Sequence, residues 1–495
     1  MGFLSDEDLE ALRPAERALP RTPIPTQIVA SDEYAPQPQT AQQREAGARM
    51  LALADELSRK QGLSRRGFFA TAAGMAAAFT AMNEVFGPIF DAGRAEAQTP
   101  ERAEERAAGL RGQFIMDMHT HFLRDDTRLE NFVRSREAVG RRGWNPQIGE
   151  RPQTLEDLKF ANYFKEIWQD SDTKMALISS APSDIPRDWF LTNEQMAQAR
   201  TRVNAQAGAK RMYSHAIFTP GAPGWLDQLD AALALRPDSV KGYTVGDNTH
   251  KETSRYPWRM DDERVTYRGY EKMVAAGVTT VCVHKGLFSR ETAQRFPHLE
   301  PYADVRDVAK AAKDWPQLNF VIYHSGYRLG DPNAALAEFE RTGRLEWVSD
   351  LADIPGEHGV SNVWGDTGQI FAQTIAAQPR VAAAIMGIML KGMGPDRIVW
   401  GSDAVWTGSP QWQIEGLRRL EIPEDMRRRH GFPELGAADG EVKRKIFGEN
   451  SARLYGVTAE ERRALEADAF VRLRTAYLQE GARPSHRRYG WVAAA

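Results

Sequence analysis

Apolar runs that each end in a histidine or an aspartate set the frame for this chain. Val281-Cys282-Val283 leads into His284, Val321-Ile322-Tyr323 into His324, and Val399-Trp400-Gly401-Ser402 into Asp403. The first two ends lie about 40 residues apart and the third about twice that distance further on, the period of one and then two βα units. Upstream, Phe114-Ile115-Met116-Asp117-Met118-His119-Thr120-His121-Phe122 adds a run that closes on two histidines. Side chains alternate along a strand, so His119 and His121 share a face, with Asp117 one step deeper on it. Two neutral imidazoles held that way suit a zinc-like ion, although His-x-His can equally be a polar strand end.

Reading the rest by the same pattern predicts strands at 113–121, 174–179, 211–218, 239–245, 279–284, 319–324, 362–366 and 397–403. Eight strands with helical patterns between them predict an α/β fold, a (β/α)8 TIM barrel. Polar residues at strand ends should then converge at one mouth, bringing together His119, His121, His284, His324 and Asp403. Lys241 ends the fourth run, and His215 in the third either faces the pocket or is a satisfied barrel histidine. Residues 122–172 and 246–265 are long for βα loops and carry Arg124, Trp144, Trp168 and Trp258. Such loops act as lids, and Tyr327 and Trp406 beside the strand ends would suit a planar or carboxylate-bearing substrate. The alternative is that the tryptophans simply cover the rim.

The flanks read differently. Residues 1–63 are polar and Pro-rich and read as disordered apart from a short helical pattern at 45–57. Next come Ser64-Arg65-Arg66-Gly67-Phe68-Phe69, an alanine-rich run at 70–82 and Ala95-Glu96-Ala97. That order is the layout of a twin-arginine signal over 64–97, predicting the export machinery as a partner, a periplasmic or otherwise exported enzyme, and a cut before Gln98. The other reading is a helix over 63–85 packed on the domain. The barrel is expected over 98–455 and a C-terminal helix and tail over 456–495, with 459–479 either capping the barrel or forming a homodimer contact. A lone cysteine, Cys282, rules out an internal disulfide, and a net charge of −3 without a basic patch argues against nucleic acid.

Taken together, Asp117-Met118-His119-Thr120-His121, His284, Tyr323-His324-Ser325-Gly326, Gly401-Ser402-Asp403 and the closing Lys445-Ile446-Phe447-Gly448-Glu449-Asn450-Ser451-Ala452-Arg453-Leu454-Tyr455 resemble the amidohydrolase superfamily. The resemblance is strongest to the branch that holds aminocarboxymuconate-semialdehyde decarboxylase. It implies His119, His121, His284 and Asp403 as ligands of one divalent metal per chain, Zn2+ first and Mn2+, Fe2+ or Co2+ next. It implies a bound water as the remaining ligand and His324 as general acid/base, with Asp403 sharing the handling of protons. Lys241 is then a substrate contact or a structural charge; in other superfamily members the equivalent lysine is carboxylated and bridges two metals.

Three functions follow from this reading. The preferred one is a metal-dependent hydrolase of a C–N or C–O bond in a small organic substrate. The alternative is a non-oxidative decarboxylase of an aromatic or unsaturated carboxylic acid. The third, a barrel that binds without turnover, fits poorly with five intact polar strand ends.

Overall fold

The computed structural model describes residues 22–27, 31, 38–142, 154–247 and 249–482. The expected Trp144 of the first long loop and the tail beyond 482 lie outside them. Eight strands form in the expected order: β1 (Met116–Thr120), β2 (Met175–Ile178), β3 (Met212–Ile217), β4 (Ser239–Tyr243), β5 (Thr280–His284), β6 (Asn319–Tyr323), β7 (Val363–Asp366) and β8 (Ile398–Val399). Each is parallel to the next, with register partners such as Lys241 opposite Cys282 and His284 opposite Tyr323. Helices fill the connections, so both faces of nearly every strand are buried, which is why these runs are apolar along their whole length.

The eighth strand is shorter than its expected range because the chain turns at Asp403, whose φ is 57°. Its continuation still closes the ring: the Met118 N–H donates to Trp400 O at 2.9 Å and the Asp403 N–H to His119 O at 2.9 Å. A further parallel bridge joins Thr120 to Ala404. The architecture is therefore a (β/α)8 barrel, with helices Ala459–Ala464 and Ala469–Gln479 as its C-terminal extension.

Residues 41–60 form a helix that spans the helical pattern expected at 45–57. Helix Ala41–Lys60 starts at a capping box in which Thr40 Oγ1 accepts from the Gln43 N–H and the Gln43 side chain accepts from the Thr40 N–H. It buries Met50, Leu53, Ala54 and Leu57 and packs on helix Ala72–Phe86, whose alanines are buried on almost every side. Sequence alone concealed this because a face of alanines has little amphipathic contrast until its partner is known. The following residues join the barrel's outer layer: Phe90 bridges Leu420, and Glu96 accepts from both Nη atoms of Arg419 at 2.7 and 3.0 Å. No helix of the described residues is long and apolar enough to cross a membrane.

Candidate metal centre and active site

The C-terminal ends of the strands bring the expected residues together. His119 and His121 leave β1 on one face, and their Nε2 atoms lie 3.3 and 3.2 Å from the same Asp403 oxygen, Oδ1. The far nitrogen of each ring is occupied. His121 Nδ1 donates to the Ser179 carbonyl at 3.0 Å, and His119 Nδ1 lies 3.0 Å from Asp366 Oδ2. An acceptor at Nδ1 fixes the tautomer that leaves the Nε2 lone pair facing Asp403, which is how histidine ligands of a metal are usually oriented. This donor set fits a divalent ion of the zinc or manganese kind.

His324 sits beside this trio. One atom each from His119, His324 and Asp403 can be chosen within 4.8 Å of one another. His324 Nδ1 accepts the Gln369 N–H at 3.1 Å, so the neutral ring carries its proton at Nε2. A ring in that tautomer delivers a proton rather than a lone pair. The ring of His284 is stacked on Tyr243 with centroids 4.6 Å apart, and its centroid is 4.7 Å from that of His324.

Lys241 reaches the same place from β4. Its Nζ donates to His119 Nε2 at 3.0 Å and lies over the rings of Tyr323 and Tyr243, 4.5 and 5.0 Å from their centroids. Burial, and after it the Lys241 ammonium, hold His119 and His121 well below the usual histidine range; His284 and His324 are held down by burial in the same way. All four imidazoles are therefore neutral near pH 7, the state a ligand or an uncharged proton relay needs.

One member was not anticipated. Asp366, the last residue of β7, is fully buried; its Oδ2 also accepts the His324 N–H at 3.3 Å. Burial pushes its carboxyl up to about 8, a shift that a cation on the far nitrogen of His119 would oppose. Asp366 obeys the rule that selected His284, His324 and Asp403, a polar residue ending an apolar run, and that rule was the available signal. Two glycines make room for it: a Cβ on Gly401 would run into Asp366 Oδ1, and one on Gly368, at φ 45°, would lie 2.5 Å from His324 Nδ1. Asp117 ties the strand ends underneath, its Oδ1 accepting the N–H groups of His119 and Ser402.

The backbone is strained where the chemistry is. His324, Ser325 and Asp403 all adopt positive φ, at 59°, 45° and 57°. Left-handed residues other than glycine are uncommon, and they concentrate where a side chain must be aimed.

The aromatic expectations divide. Trp406 is buried against the site, its ring centroid 5.8 Å from that of His121 and edge-on to Phe190 and Phe132. The Tyr327 ring belongs to the core between barrel and helices, and its N–H donates to the His324 carbonyl. Trp168 faces away from the mouth, packed with Phe164 and Phe470, because it precedes β2 instead of following a strand. Trp258 packs edge-on to Phe218. His215 has both nitrogens engaged, by Tyr323 Oη and Ser239 Oγ, and is a barrel histidine.

The Amidohydrolase family model matches residues 116–457. No curated protein matches the sequence. Among solved structures, 5-carboxyvanillate decarboxylase from Sphingomonas paucimobilis is 14% identical over 70% of this chain and 100% of that one, with a TM-score of 0.40. A dihydroxybenzoic acid decarboxylase from Polaromonas, with bound manganese and 2-nitroresorcinol, is 14% identical over 70% and 99%, with a TM-score of 0.39. An amidohydrolase from Burkholderia multivorans with bound zinc is 13% identical over 70% and 100%, with a TM-score of 0.40.

Proposed function

The chain belongs to the amidohydrolase family, and from that premise we propose that it is a metal-dependent, non-oxidative decarboxylase of a flat aromatic or unsaturated carboxylic acid. Lys241 carries this reading. Its buried ammonium stands 3.0 Å from a candidate metal ligand and gives the site a positive charge besides the ion's own. A carboxylate makes use of that second charge; the neutral amide or ester of a hydrolase substrate does not. The wall of Trp406, Phe190 and Phe132 beside His121 favours a planar body. This moves the preference from hydrolysis, the first expectation of the sequence, to loss of CO2.

His119, His121, His284 and Asp403 would hold the ion. When bound, a divalent cation supplies Lewis-acid charge for the substrate's oxygens. Lys241 binds and orients the carboxylate, and the aromatic wall excludes water from the ring. As the bond to CO2 breaks, the electron pair stays on carbon and forms the new C–H bond with the proton relayed through His324 Nε2, which the ring regains from solvent. Asp366 keeps the His119 ring in register. The order of Arg65-Arg66, apolar run and Ala95-Glu96-Ala97 supports export by the twin-arginine route as part of the same proposal.

The test is turnover in D2O. Protein loaded with manganese or zinc is offered hydroxylated benzoic acids beside lactones, esters and amides. CO2 release with one deuterium on the vacated carbon is the expected result. Cleavage of a lactone, ester or amide without CO2 would return the assignment to hydrolysis.

A further inference from the structure

A second pocket opens at the opposite end of the barrel. It encloses about 470 Å³, within the range of small-molecule sites. Its walls come from the segments that enter the first three strands: Arg111 lies shortly before β1, Lys174 immediately before β2 and Arg211 immediately before β3. Helix Ala469–Gln479 closes it with Phe470 and Arg474, and Trp168 packs on Phe470 with ring centroids 5.3 Å apart.

The charge of this lining is one-sided. Four of its residues are cationic and none is acidic. A neighbouring cavity that shares Arg111 and Arg474 has Glu104, Asp170, Asp172 and Glu415 in its wall, so the asymmetry is local. Three of the four cations are neutralised from outside the pocket: Arg211 by a bidentate pair with Asp468 at 2.6 and 2.8 Å, Arg474 by Asp172 at 2.8 Å, and Arg111 by Glu104. Lys174 differs. Its Nζ donates to the Arg111 carbonyl at 2.8 Å, and among the described residues no carboxylate lies within ion-pair distance.

The rest of the wall is mixed: Trp168, Phe470, Val471 and Leu478 are apolar, and Thr173, Thr475 and Gln479 are polar and uncharged. Leu478 is 48% exposed and one of three large hydrophobic residues so exposed among those described. One unneutralised ammonium matches a single carboxylate, and the aromatic faces of Trp168 and Phe470 match a ring. A phosphate would want more free donors and no ring.

We propose that this pocket is a binding site for an organic monocarboxylate with an aromatic or alicyclic body, separate from the active centre. The carboxylate is met by Lys174 Nζ. The ring lies between Trp168, Phe470 and Leu478. Its position on the face where barrels carry no catalytic groups makes it an effector or sensing site, and it stands whether the active centre decarboxylates or hydrolyses.

The experiment is calorimetric titration of the full-length, metal-loaded protein with benzoate at low salt, repeated with benzamide and with inorganic phosphate. Lys174→Glu and Leu478→Trp are compared with the unaltered protein. The first reverses the charge; the second fills the pocket from its exposed lip and guards against misfolding of the first. One benzoate site is expected to weaken about tenfold or more in each variant, with turnover and metal content unchanged. Benzamide should bind poorly there and phosphate should not compete. Identical benzoate isotherms in all three proteins would overturn the proposal, as would equal binding of benzamide. Competition by phosphate at the Lys174-dependent site would reduce it to an inorganic-anion site and sink the monocarboxylate assignment.

Discussion

Asp366 Oδ2 lies 3.0 Å from Nδ1 of His119, so a carboxylate from β7 sets the orientation of a histidine from β1. The same oxygen takes the backbone N–H of His324. One side chain thus positions both a candidate ligand and the candidate proton donor. Asp366→Asn keeps the shape and removes the carboxylate form that a bound cation on His119 would favour. Metal affinity should fall by about 10–100-fold, the usual cost of losing such a partner, read by equilibrium dialysis against a metal buffer. An unchanged affinity would mean that His119 needs no such support.

His324→Gln tests the proton's origin. Turnover should fall by about 10²–10⁴-fold while the metal stays bound. Metal loss in this variant would make His324 a ligand, against the hydrogen bond that Gln369 gives its Nδ1.

Lys241→Met separates two uses of one ammonium. As a carboxylate contact its loss should raise KM for acids and leave metal at one equivalent per chain. A fall from two equivalents to one would identify a lysine that bridges metals.

Away from the site, Asp172 is buried between Arg418 and Arg474 at 2.8 Å from each. Burial pushes its carboxyl up, but the two guanidiniums outweigh that and hold it below the usual range. A carboxylate depressed in the folded state stabilises above its unfolded pKa of about 3.9, and that stability drains away as pH falls through the folded value. Asp172→Asn should cost about 1–3 kcal/mol at pH 7, because Arg474 loses its carboxylate while Arg418 keeps Glu415 at 2.8 Å. The gap in Tm between variant and parent should narrow as the pH is lowered below about 4. A gap that widens in acid would contradict the sign.

Gly401→Ala tests packing behind the metal centre. A methyl there collides with Asp366 and comes within 2.7 Å of His119 Cβ. A loss of stability of about 1–3 kcal/mol is expected, together with weakened metal binding; a fully stable, fully loaded variant would show that Asp366 can move aside.

Much of this was legible in the chain itself. A barrel strand is buried on both faces and must end where its polar residue meets the mouth, so apolar runs closing on His284, His324 and Asp403 marked the strands and pointed to one candidate site. Asp366 obeyed the same rule and was passed over, since aspartates also end strands merely to cap turns. Trp168 was misplaced because a loop residue's distance along the chain does not say which end of the barrel it joins. The hydrogen bond that distinguishes His324 from a ligand comes from a backbone amide of the next βα connection, a contact no residue type announces. The N-terminal helices pack through alanines, whose burial depends on a partner surface that the alanine pattern does not encode.

Glu96 and Arg419 have a consequence for proteolysis. The expected cut after Ala97 falls one residue beyond a buried carboxylate held by two hydrogen bonds, on a segment that also forms a backbone bridge to the barrel and fills a layer of its core. Severing one peptide bond there removes none of those contacts. The product would be a nicked protein in which the leader stays seated as a tightly held second chain, visible as two masses after denaturation and as one particle before it.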